Sequence, residues 1–369
     1  MSIFDYIDKY GNSTFEEVSF NEVDNVILSS LSYVSFYGIV SGNRHHKITI
    51  REAGDKYTKL YPHKKKYIWA VKMAVKMLSV IKNTKRYGDL LLYNYVYEWG
   101  SEQQFSALTI ELNPNLVYVS FEGTDHLVSG WKEDFMMTYK FPVKSQKRAI
   151  EYINRNFFFN KKEIILGGHS KGGNLAMVSS MFCNFWIRNK IIKIYNNDGP
   201  GLLKEVFESK QYDNIKSKLV SIIPNYSVVG MLLYHDDNYI VVKSSKKGAM
   251  AHDLYNWVVD DTNFVRDELD FFNKSLSLEL INWLKKYSRD ERRRFVFSMF
   301  NIFEEANVIS LIELISDRKL IMDVISASRD LDDVDVEMFK DLVLTVVNCF
   351  KDVKVEEFKT MFDKKKVLK

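Results

Sequence analysis

Short apolar runs alternate with amphipathic stretches along most of the chain. The runs at Leu116–Phe121, Ile164–Leu166, Ile191–Tyr195, Leu219–Pro224 and Tyr239–Lys243 are bounded by polar or turn residues, and their length and β-branched content predict buried strands. Leu90–Tyr97 is apolar and aromatic, while Gln104–Leu112 alternates as a half-buried strand does; Asn113-Pro114-Asn115 marks the turn after it. Val23, Val26, Ile27 and Leu31 share one helical face behind a capping Asn21. Helical spacing returns in Tyr67–Asn83, through Ala70, Ala74, Met77 and Ile81, and again in Lys144–Phe158. Residues 1–20 predict an extended lead-in, and within 34–62 only Ile48-Thr49-Ile50 predicts a strand fragment. Strands alternating with helices to about residue 270 predict an α/β fold: a mostly parallel central sheet flanked by helices.

The pattern changes from about residue 275. Leu280, Ile281 and Leu284, then Phe295, Met299, Ile302 and Phe303, then Leu311, Leu314, Ile315, Leu320, Ile321, Val324 and Ile325 recur at three- and four-residue steps. The expected organisation is therefore an α/β domain over 1–272 and an α-helical appendage over 273–369, its last helix starting at Asp333-Val334-Asp335. The apolar stripe reads as core or as a surface that docks a protein partner.

Composition narrows the function classes. Hydrophobic residues make up 46% and charged residues 27%, as in ordinary globular chains. Net charge is +4, from 52 Lys and Arg against 48 Asp and Glu, too balanced to point to nucleic acid. The run Lys64-Lys65-Lys66 reads as a solvated turn. Cys183 and Cys349 form neither a metal-spaced pair nor a disulfide framework, so cytoplasmic residence is expected. The first residues carry acids where a signal peptide has a basic region, and no apolar run is long enough to predict a membrane span.

The chemistry centres on Gly168-His169-Ser170-Lys171-Gly172, a G-x-S-x-G between a predicted strand and a predicted helix. In that context a strand turns sharply into a helix and projects a serine above the sheet edge. Ser170 is the candidate nucleophile, with the Lys171 backbone N–H at the helix start helping to hold an oxyanion. A serine needs a base, itself oriented by an acid. Of the histidines after Ser170, His252 follows the last predicted sheet strand whereas His235 precedes it, which favours His252. Asp198, in a Gly-Pro-Gly turn at a strand end, is the candidate acid, with Asp236 and Asp237 as alternatives; Asp125 precedes the serine and is disfavoured. Thr124, after Gly123 at another strand end, is the candidate second oxyanion donor. No metal or organic cofactor is implied.

These residues resemble a known family. Phe121-Glu122-Gly123-Thr124, with Trp131 and Asp134 in a W-x-x-D arrangement, resembles the F-R-G-T region of class 3 lipases, and Gly168–Ala176 resembles their G-H-S-x-G-G-x-L-A elbow. Asn197–Gly201, Ser227–Leu232 and His252–Trp257 are similar to a bacterial branch of lipase-like α/β-hydrolases of unknown function. The resemblance spans roughly 15–270 and implies Ser170 as nucleophile, Thr124 as oxyanion residue and His252 as base. Two positions depart from it. Glu122 replaces the usual arginine, and Asn225-Tyr226-Ser227 offers no carboxylate where the lipases carry their acid, which leaves Asp198 one strand earlier. The expected function is a serine hydrolase of carboxylic esters, small-molecule or lipid; the alternative is a hydrolase-fold scaffold whose C-terminal helices dock a partner.

Overall fold

Sequence order becomes spatial order in the sheet. The computed structural model describes residues 1–61, 69–100, 103–124, 128–308, 323–324, 334–338 and 341. Within them β1 (Ile48–Thr49), β2 (Leu91–Gly100), β3 (Gln103–Asn113), β4 (Leu116–Phe121), β5 (Glu163–His169), β6 (Ile191–Asn197), β7 (Leu219–Pro224) and β8 (Tyr239–Val242) lie side by side in that order. Neighbours from β1 to β4 pair antiparallel, and those from β4 to β8 pair parallel. The tight turn at Pro114 joins antiparallel β3 to β4, whereas the parallel part needs crossovers.

Helices α1 (Ile3–Tyr10), α2 (Glu22–Ser30), α3 (Ile50–Leu60) and α4 (Trp69–Ile81) come before β2. Between β4 and β5 lie α5 (Val128–Met136) and α6 (Lys144–Phe157); α7 (Lys171–Phe182) and α8 (Phe185–Arg188) join β5 to β6. Short α9 (Lys204–Phe207) and α10 (Lys210–Lys216) lead into β7, and α11 (Phe271–Lys286) and α12 (Arg289–Glu305) follow β8.

Strand alternation sorts the core into two layers. Val117, Val119 and Phe121 of β4 pack with Ala149, Ile153, Leu175, Val178 and Ile215 from α6, α7 and α10. Tyr118 and Ser120 point the other way, toward α2, which is buried along its whole length. Burying each aliphatic side chain contributes roughly 1.5–3 kcal/mol. The polar residues of α2 are buried only because they are paired. Asp24 accepts from Arg86, Tyr6 and Tyr87, and Asn25 accepts from Tyr118 while donating to Asn197.

Three segments differ from the sequence expectation. The lead-in folds as α1, because Ser2 caps it, Asp5 bonds back to the Ser2 N–H, and Ile3, Tyr6 and Ile7 bury one face. Thr49 and Glu52 form the same reciprocal cap on α3, which follows directly from β1. Helix α5 forms where no element was expected. In the appendage, Phe295, Met299 and Phe303 pack with Met136, Met137 and Tyr139 behind α5, so this part of the stripe is core. Residues 334–338 are helical, and Asp333 lies outside the described residues. Lys64-Lys65-Lys66, Asp125, the stripe positions from Leu311 to Ile321, Ile325 and Cys349 lie outside the described residues. No helix among the described residues is long and apolar enough to cross a membrane.

Candidate active site

Ser170 sits at the junction of β5 and α7 with φ +58° and ψ −133°. A non-glycine residue there carries strain of order 1–3 kcal/mol, which the surroundings must overcome. They do so by hydrogen bonding and close approach. The Ser170 N–H donates to the Asn197 carbonyl at 3.0 Å, and the Ser170 carbonyl accepts from the Gly173 N–H at 2.9 Å. A Cβ on Gly168 would lie 2.3 Å from the Gly172 carbonyl carbon, so the elbow closes only with glycine. One on Gly123 would lie 2.5 Å from the His169 carbonyl oxygen and 3.0 Å from Ser170 Cβ. The backbone leading to Thr124 is thereby pressed against the serine.

The loop after β8 brings His252 to the same place. Its Nδ1–H donates to Asp198 Oδ2 at 2.6 Å. Asp198 is fully buried at the end of β6, and its Oδ1 accepts from the Ser227 hydroxyl and, at 3.1 Å, from the Gly230 N–H. The loop after β7 therefore supplies no carboxylate; it supplies donors that hold the carboxylate one strand away. Nδ1 carries the proton in this arrangement, which leaves Nε2 of His252 as the nitrogen with the lone pair.

His169 ties the elbow to the histidine loop. Its Nε2–H donates to the His252 carbonyl at 2.8 Å, so Nδ1, 3.0 Å from Tyr33 Oη, must accept the tyrosine hydroxyl. The rings of His169 and His252 lie 4.5 Å apart. Burial, reinforced by the neighbouring His252, pushes the His169 pKa well below the usual histidine value, so the ring is neutral and keeps this tautomer. Burial likewise raises Tyr33 well above an ordinary tyrosine and keeps it a donor.

Beside Ser170, Thr124 Oγ1 donates to Asp134 Oδ2 of α5 at 2.6 Å. Asp134 Oδ1 is sealed from solvent with no hydrogen-bond partner among the described residues. Burial raises this carboxyl to about 6 against the pull of Lys171 and Thr124. The Lys171 side chain turns inward, and its ammonium meets Glu133 at 3.3 Å and the Gln104 carbonyl at 3.2 Å. Burial works against that charge, but Glu133 and Asp134 outweigh it and raise the lysine. The start of α7 is thus bolted to α5. No group of three or more His, Cys, Asp or Glu among the described residues is placed to hold a metal ion.

A sequence-family profile described as Mbeg1-like matches residues 81–301, well over half of the chain and every residue of the site above except Tyr33. The chain belongs to the Mbeg1-like family. This is a family of lipase-like proteins. The Mbeg1-like chain is also similar to two solved structures. The crystal structure of M37 lipase is 14% identical over 58% of this chain and 70% of that one, with a TM-score of 0.33. A fungal lipase–inhibitor complex, presented as a model for interfacial activation, is 10% identical over 60% and 77%, with a TM-score of 0.32. No curated protein matches.

The Mbeg1-like fold brings Ser170, His252, Asp198, Thr124 and Lys171 to one end of the parallel strands, while His235 and Asp236 bond to other partners. His235 Nε2 faces Ser277 of α11 at 3.4 Å, and Asp236 accepts from Tyr212 and Lys216. Sequence reasoning assigned no role to Tyr33, His169, Glu133, Ser227 or Gly230. Four of them have a signal: His169 lies inside the elbow motif, Glu133 beside Asp134 of W-x-x-D, and Ser227 and Gly230 within the Ser227–Leu232 segment.

Proposed function

We propose that this Mbeg1-like protein is a serine hydrolase that cleaves carboxylic esters, lipid esters among them, through an acyl-enzyme intermediate. The observation that carries the reading is the buried Asp198 carboxylate 2.6 Å from Nδ1 of His252, beside the strained Ser170. Asp198 fixes the imidazole with Nε2 as acceptor and stabilises the imidazolium that forms. Nε2 takes the Ser170 hydroxyl proton as Oγ attacks the ester carbon. The oxyanion is held by backbone N–H groups of Lys171, at the open start of α7, and Thr124. The Thr124–Asp134 bond fixes the second donor. Collapse breaks the ester C–O bond, and the leaving alkoxide takes the proton from His252. A water, deprotonated by the same nitrogen, attacks the acyl-serine and releases the acid.

Cytoplasmic residence belongs to this reading, supported by a buried Cys183 whose thiol is pushed up to about 12 by burial. Hydrolysis of p-nitrophenyl esters of graded acyl length tests the proposal. Turnover by the wild type, lost in Ser170→Ala and in His252→Ala, is expected. A folded wild type inert toward every ester, or a Ser170→Ala variant as active as wild type, contradicts it and favours a scaffold.

A further inference from the structure

β5 and β6 enter the sheet at Glu163 and Ile191, at the end opposite Ser170 and Asp198. The surface there carries aromatic rings that the fold leaves uncovered. Phe159 is 82% exposed and Trp186 67%, with Phe158 and Phe185 exposed beside them. The two pairs belong to one surface, since the Asn184 N–H that opens α8 donates to Asn154 of α6 at 2.8 Å. Alongside runs an open groove of about 520 Å³ lined by Arg44, Lys47, Tyr93, Phe159, Lys161 and Lys162. Glu111 pairs with Lys47 and Lys162 at 2.7 Å each, while Arg44 and Lys161 have no acidic partner among the described residues. Arg188 lies over the Phe185 ring and the Lys190 ammonium reaches the Asn160 carbonyl, so both continue the positive charge beside the aromatics.

Exposed aromatics grouped in a rim of cations match the chemistry of a membrane surface. Aromatic rings settle at headgroup level, and clustered lysine and arginine are drawn to anionic lipid. An uncovered apolar patch on a folded domain marks a binding surface. We propose that this end of the sheet binds the surface of an anionic phospholipid bilayer, the groove receiving a lipid phosphate and Phe158, Phe159, Phe185 and Trp186 entering the headgroup layer. Docked this way, the protein turns the Ser170 end of the sheet toward water, so the surface anchors the molecule.

Flotation of the full chain with phosphatidylcholine vesicles, with and without phosphatidylglycerol, tests this. Binding to the mixed vesicles, little binding to pure phosphatidylcholine, and weakening with salt are expected. Each cation near an anionic surface is worth about fivefold in partitioning, so Lys161→Glu should lower binding more than tenfold. Phe159→Ser with Trp186→Ser should lower it at least as much. All three side chains are exposed, and an unchanged thermal unfolding midpoint verifies the fold. Equal binding to both vesicle types, no flotation, or undiminished binding by the variants overturns the proposal. So does binding of inorganic phosphate at Lys161 without flotation, which marks a site for a free anion. The readout is binding at the far end of the sheet, so it stands or falls independently of esterase activity.

Discussion

Asp198→Asn changes one oxygen and distinguishes an orienting carboxylate from a turn aspartate. In the native site Asp198 Oδ1 takes two donors, the Ser227 hydroxyl and the Gly230 N–H, and Oδ2 takes the His252 Nδ1–H. Asparagine keeps a single acceptor oxygen, which the two donors hold at the Oδ1 position. The amide NH2 then faces His252 Nδ1, and that nitrogen must give up its proton to become an acceptor. The proton moves to Nε2, where the ring can no longer take one from Ser170. A wrong tautomer of this kind lowers kcat by about 10⁴, or ~5 kcal/mol of transition-state stabilisation. Folding should survive the loss of one charged hydrogen bond, at a cost of about 1.5–3 kcal/mol.

The assay is turnover of an activated ester alongside urea unfolding. Asp236→Asn is the control, because that carboxylate is partly exposed and serves Tyr212 and Lys216. It should leave turnover unchanged and cost no more than about 1 kcal/mol of stability. Equal activity in the two variants, both folded, would remove Asp198 from the site and refute the tautomer argument.

Three further outcomes follow from the same geometry. Asp134 is raised to about 6 by burial and returns to about 3.9 on unfolding, so its contribution to stability is fully present below the unfolded value and is lost as pH rises through about 6. Wild type should therefore lose about 2 kcal/mol relative to Asp134→Asn between pH ~4 and ~7, and parallel stability curves would refute the assignment. His169→Phe leaves Tyr33 Oη and the His252 carbonyl without their buried partner, at roughly 1–3 kcal/mol each. Turnover should fall because His252 is no longer held, whereas unchanged kcat would make His169 a bystander. Phe300→Ala removes a ring packed against Phe135 of α5 and should cost about 3–5 kcal/mol. Proteolysis within the appendage, from α11 onward, should accelerate, and turnover should drop with it, since α5 also carries Asp134; intact turnover in a proteolysed appendage would uncouple the two.

The parallel half of the sheet is legible because its largely buried strands read as short, mainly apolar runs, interrupted only by residues such as Ser120 in β4, Lys193 in β6 and Ser221 in β7. The elbow is legible because its tight turn demands glycine at fixed offsets from Ser170. Helices α1 and α3 are short, and their apolar faces, Ile3, Tyr6 and Ile7 in one and Ile50, Ala53 and Tyr57 in the other, keep helical spacing over only about two turns. Their signal lies in the caps, Ser2 with Asp5 and Thr49 with Glu52. What surrounds the site is tertiary. Nothing local to Asp24 announces Arg86, and nothing near Asp198 announces that Ser227 and Gly230 will hold its carboxylate. Such pairings exist only once the crossovers have brought strand ends together.

The most direct measurement is the intact mass of the folded protein after reaction with a fluorophosphonate, followed by mapping of the modified peptide. The account predicts one adduct, on the peptide that contains Ser170, absent in Ser170→Ala. An unmodified folded protein, or an adduct that persists in Ser170→Ala, contradicts it.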